Sequence, residues 1–125
     1  MNIKNFIHQL EQAQDLMKAK NYKGALNILE KLKVIEENGD FDHNLTHKLY
    51  QLISNSRSLL NQQMIFKIIK EIKKKKPLIS FEEINKLLKK KENLDLEIDV
   101  LKREIEILIL RNILSCKIDR NNLIF

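Results

Sequence analysis

The sequence predicts a mainly α-helical protein, and three observations carry that prediction. Only two Gly and one Pro occur in 125 residues, too few for a sandwich or barrel, which needs a turn former about every ten residues. Apolar residues recur at i, i+3, i+4 and i+7 through most of the chain, the spacing of amphipathic helices. Hydrophobic residues make up 43% and charged ones 32%, enough to bury the interior of one domain or two small ones. Two glycines also exclude the Gly-rich dinucleotide loop, and no phosphate-binding GxxxxGK[ST] is present.

The first helix is expected over Asn2 to Lys18, with Ile3, Phe6, Ile7, Leu10, Ala13 and Met17 on its apolar face. Lys20-Asn21-Tyr22 is a short turn into a second helix, Lys23 to Glu37, whose stripe is Leu26, Leu29, Leu32 and Ile35, with Ala25 and Ile28 beside it. So short a link predicts an antiparallel hairpin. Small residues at Gly24 and Ala25 are expected to let the two helices approach closely, and Gly39 is expected to stop the second helix as a left-handed cap. Ala13, the turn Asn21-Tyr22 and Gly24-Ala25-Leu26 resemble a tetratricopeptide-type unit, with no second copy at a period near 34 residues.

A long helical pattern follows from Asp42 to about Lys75, with a break allowed near residues 55–63, where Ser54-Asn55-Ser56 and Asn61 are weak helix formers. Pro77 ends it. Leu78-Ile79 reads as a short extended piece. Ser80 and Glu83 form a capping box for a helix from Phe81 to about Lys90, with Ile84, Leu87 and Leu88 inward. Glu92-Asn93 breaks the pattern before a second helix, Leu96 to Asn112, buries Ile98, Leu101, Ile105, Leu108 and Ile109. Over Ile113 to Ile118, Leu114, Cys116 and Ile118 alternate as in a half-buried strand. Asp119-Arg120-Asn121 turns the chain, and Asn122 to Phe125 returns as a final strand. Short strand, helix, helix and β-hairpin is the element order of a winged helix.

Charge is concentrated. Between Lys70 and Lys91 lie nine lysines and three acids, so this segment alone carries the whole formal charge of +6. Lys73, Lys74, Lys75, Lys76, Lys86, Lys89, Lys90 and Lys91 are candidate phosphate contacts for nucleic acid. A solvated lysine face explains the same residues, since lysine lacks arginine's fork and no aromatic is interleaved for stacking. The second helix of the winged-helix pattern, Asp95 to Arg111, carries five acids and three bases and would be repelled from the major groove.

Residues 77–125 carry a resemblance to a known family. Ile79-Ser80-Phe81-Glu82-Glu83-Ile84, the following helix, and Ile113 to Asn122 with its Lys117-Ile118-Asp119 triplet resemble the winged-helix end of PCI domains, the scaffold subunits of the proteasome lid, the COP9 signalosome and translation initiation factor 3. The resemblance implies one compact module: a helical-repeat-like part over residues 1–76, resembling a stack of tetratricopeptide repeats, and a winged-helix part over residues 77–125. It departs from the family in a shorter helical part and a longer, charged loop at Lys89 to Asp95.

The remaining chemistry is sparse. His43 and His47 have helical zinc-pair spacing, but no HExxH glutamate and no third strong ligand accompany them. Cys116 is the single cysteine and falls on the inward phase of a strand, where it reads as a small core residue. No nucleophile–base arrangement is visible, so the sequence predicts a non-enzymatic protein without cofactor or metal. A terminal strand with an exposed edge templates pairing with another chain, which makes Ile118, Asn122, Leu123, Ile124 and Phe125 the candidate protein interface. PCI winged helices associate through such sheets. The partners expected are proteins, including a second copy of this chain, with nucleic acid as the alternative. Without a signal peptide or an 18-residue apolar run, the expected location is cytoplasmic, with no membrane insertion.

Overall fold

The computed structural model describes residues 2–125. Among them, five helices and three short strands follow one another as α1 (Ile3–Lys18), α2 (Tyr22–Glu37), α3 (His43–Lys73), β1 (Leu78–Ser80), α4 (Phe81–Glu92), α5 (Ile98–Leu110), β2 (Lys117–Asp119) and β3 (Asn122–Ile124). The protein is thus mainly helical with a small antiparallel sheet. Close packing divides the chain into two units, the first ending at Leu60 and the second running from Asn61 to Phe125.

In the first unit, side-chain oxygens start the helices. Asn2 accepts from the Asn5 amide at 2.8 Å, Asn21 from the Gly24 amide at 3.0 Å and Asp42 from the Asn44 amide at 2.7 Å, each satisfying a donor that a helix N-terminus leaves unpaired. The core is Phe6, Leu10 and Ala13 of α1, Ala25, Leu29 and Leu32 of α2, and Leu49, Leu52 and Ile53 of α3. Of the residues expected on the apolar faces, Met17, Leu26, Ile28 and Ile35 are only partly buried and Ile3 and Ile7 are exposed, because the buried face of α1 is narrower than its apolar spacing. The two glycines act differently from expectation. Gly24 makes room for the capping Asn21 side chain, whose Nδ2 would lie 2.8 Å from an added Cβ, while Ala25 is wholly buried in the first core. Gly39 does not adopt a positive φ; an added Cβ there would overlap the ring of Phe41, which stacks on Phe6 with centroids 4.6 Å apart. The left-handed positions are instead Lys20, Asn93, Asn112 and Arg120.

Helix α3 continues through residues 55–63 without a break. Ser and Asn there cost only about half a kcal/mol each relative to Ala, less than is needed to interrupt a helix packed at both ends. Its two buried stretches belong to different cores, Leu49 to Ile53 to the first and Ile65, Ile68, Ile69 and Ile72 to the second. That is why the packing boundary falls inside α3 rather than at Pro77, where the sequence reading drew it.

The second unit closes around those isoleucines with Ile79, Phe81, Ile84, Leu88, Leu101, Ile105, Leu108, Leu114 and Leu123. Ser80 caps α4 as expected, its hydroxyl accepting from the Glu83 amide at 3.2 Å, and Asn93 ends it in the left-handed conformation. Asn85 donates to the Leu96 carbonyl at 2.8 Å and pins the α4–α5 loop. The tail doubles back as a β-ribbon, but β2 is shorter than the strand expected from Ile113, because residues 113–116 run without ladder partners. The sheet order is β1-β3-β2, with Ile79, Leu123 and Ile118 in one inward row. Phe125 donates to the Pro77 carbonyl and Phe81 to the Asn121 carbonyl, both at 3.0 Å, locking the chain's last strand in the sheet's middle.

Candidate interaction surfaces

That topology corrects one premise of the sequence reading. The terminal strand β3 is not an edge, because β1 occupies the side expected to be free. The open edges are β1 and β2. Leu123 is wholly buried and belongs to the core rather than to a contact surface. Ile118 and Phe125 are half-buried and packed against the second core. Asn122 and Ile124 alternate with Leu123 and point to the sheet's other face, where Ile124 lies in one row with Leu78 and Lys117.

Three exposed apolar residues of the second unit that the sequence reading did not single out lie one in β1 and two at or just after the end of α5. Leu78 is 49% exposed, Leu110 81% and Ile113 41%. The signal was present: Leu110 lies off the Leu101, Ile105, Leu108 stripe, so a helix that buries the stripe must present Leu110 to water. Below Ile124, an open groove is lined by Ile109, Leu114, Cys116, Lys117, Ile124 and Phe125 among others. Burial pushes the Cys116 thiol up, and the nearby Lys73 charge offsets part of that, so at neutral pH it is a protonated thiol rather than a nucleophile.

The lysines gather on α3's last turn, the segment after it, and α4. All eight singled out from the sequence are exposed. Lys76 pairs with Glu83 at 3.2 Å, Lys91 with Glu71 at 3.1 Å, and the neighbouring Lys67 with Glu92 at 3.3 Å. The hydrogen bond and charge of Lys91, with Lys67 and Lys75 adding to it, hold the Glu71 carboxyl below the usual carboxylate range.

Helix α5 offers phosphate little. Its exposed positions include Asp99, Arg103, Glu106 and Leu110. Lys102 is engaged, 5.3 Å above the Phe81 ring and 3.3 Å from Asn121 Oδ1. Glu104, only 2% exposed, accepts from Gln62 at 3.3 Å, while Arg111 donates to Gln62 at 3.1 Å, forming a polar clamp between α3 and α5.

His43 and His47 are both exposed on the first turns of α3, and no group of three or more acidic, His or Cys side chains placed for a metal occurs among the described residues. No helix is long and apolar enough to cross a membrane among those residues. Compared with protein-family models, curated proteins and solved structures, the chain finds no match.

Proposed function

We propose that this chain is a protein-interaction module, a minimal PCI-like winged helix preceded by a single tetratricopeptide-like hairpin, that assembles laterally through its sheet. The observation that carries this reading is the outer side of β2, Lys117–Asp119, which has no strand partner, in a sheet whose outward row, Leu78, Ile124 and Lys117, includes the exposed Leu78. Unpaired backbone groups beside exposed apolar side chains are the ingredients of strand addition: main-chain hydrogen bonds supply affinity and flanking side chains supply register. The occupant is an equivalent edge on a second copy or on a related partner. Ile124 and Leu78 on the sheet's outward face extend the apolar area available to such a contact. The absence of any nucleophile–base arrangement in the sequence leaves binding as the reading, and α5's mixed charge supports protein over DNA as the partner.

Mass measured in solution by sedimentation tests the proposal. The wild type is expected to associate, and Ile124→Lys and Leu110→Lys to weaken association without lowering helicity. A wild type that stays monomeric at every concentration, or an oligomer indifferent to both substitutions and to salt-matched controls, overturns it.

A further inference from the structure

A second surface in the Asn61–Phe125 unit has a chemistry of its own, independent of the sheet edge. Where α3 ends and the chain turns into β1, a cleft of about 210 Å³ opens between α3 and α4. Its floor is Ile68, Ile72 and Ile79, and Leu87 of α4 forms one wall. Its rim holds three ammoniums, Lys75, Lys76 and Lys91, against one carboxylate, Glu71. A cavity of about 150 Å³ already accepts a benzene-sized ring, so this one has room for a large apolar side chain.

The rim is arranged rather than merely charged. Lys76 is held by Glu83 and Lys91 by Glu71, and an ammonium that spends one donor on such a pair keeps two more for a ligand. Lys75 makes no ion pair with an acid among the described residues. The Lys91 hydrogen bond, with the charges of Lys91, Lys67 and Lys75 behind it, holds the Glu71 carboxyl below the usual range. An apolar floor within a cationic rim matches a ligand that brings an apolar group and negative charge together.

We propose that this cleft receives an acidic segment of a partner protein, inserting one large apolar side chain between α3 and α4 while flanking carboxylates engage Lys75, Lys76 and Lys91. A nucleic-acid backbone would use the lysines but gain nothing from the floor, and no aromatic side chain lines the cleft on which a base would stack.

The probe is a fluorescein-labelled peptide, Gly-Glu-Glu-Leu-Phe-Glu-Glu-Gly, with binding read by anisotropy. The wild type is expected to bind it, and to bind a version with Ser replacing Leu and Phe about tenfold more weakly, the scale of one lost apolar anchor. Lys75→Glu, at an exposed position, and Leu87→Glu are each expected to abolish binding. In the unsubstituted protein, methyl resonances of Ile68, Ile72 and Leu87 are expected to shift on titration, a readout that does not depend on any variant folding. Failure of the peptide to bind, equal affinity for the Ser version, or tighter binding of oligodeoxythymidine with no methyl shift each overturns the proposal, the last result assigning the lysines to nucleic acid.

Discussion

The two packing units bury similar side chains by different routes. In the first, every core residue comes from a helix, and α1 and α2 are neighbours in both sequence and space. In the second, Ile79, Leu114 and Leu123 come from strands and loop, and β1 pairs with β3 across the intervening length of α4 and α5. Local contacts close at low entropic cost, whereas the sheet must bring distant segments together before it gains anything. The second unit therefore depends on a few residues at its closure, and these are the residues next to both proposed surfaces.

The largest expected effect breaks this comparison at its core. Leu123→Ala and Leu29→Ala each remove a fully buried side chain and should cost about 2–5 kcal/mol. By hydrogen exchange, Leu123→Ala should deprotect β1 and the elements after it while α1 and α2 keep their protection, and Leu29→Ala should do the reverse. Uniform deprotection in both variants would mean that the two cores melt as one.

Next comes the polar clamp. Gln62→Ala removes a hydrogen-bond partner from buried Glu104 and from Arg111, with an expected loss of about 1–2 kcal/mol in denaturant unfolding. The caps follow. Ser80→Ala and Asn21→Ala each free a helix N-terminal amide, at about 1 kcal/mol. Ser80→Ala should lower the stability of the second unit, Asn21→Ala that of the first. Smallest is a gain: Arg120 stands at φ 56 in the β2–β3 turn, a conformation that costs a side chain but not glycine. Arg120→Gly should raise the thermal midpoint by an amount corresponding to about 0.5–1 kcal/mol.

The same contrast explains what the sequence made legible. Helical spacing named the centre of the first core, Phe6, Leu10, Ala13, Leu29 and Leu32, because burial there follows the 3.6-residue period, but it also placed Ile3 and Ile7 inward, which the structure exposes. The Ser80 cap, the helix end ahead of Pro77 and the returning ribbon after Asn112 are also local signals that the structure bears out, with the Glu83 carboxylate on Lys76 rather than closing a capping box. What stayed hidden was non-local. Nothing within Leu78–Ser80 records that its partner is β3, so sequence alone makes the terminal strand an edge and Leu123 a contact. Two local misreadings have steric causes: Gly39 accommodates the Phe41 ring instead of adopting a left-handed φ, and α3 runs through its serines because packed stretches hold it on either side. Of the candidate surface, Ile124 and Asn122 were legible from strand alternation. Leu110 was legible as well, from its place off the α5 stripe; Ile113 and the cleft beside Lys75 were not, because their exposure is decided by what neighbouring elements cover.

Amide exchange across β2 as a function of protein concentration tests lateral assembly most directly. In the β2–β3 register Lys117 and Asp119 face β3 and Ile118 faces the open edge, so the Ile118 amide is expected to become protected as concentration rises, and Leu110→Lys to abolish the change. Exchange at Ile118 that stays fast and identical at every concentration, while the protein associates through some other segment, would contradict lateral assembly.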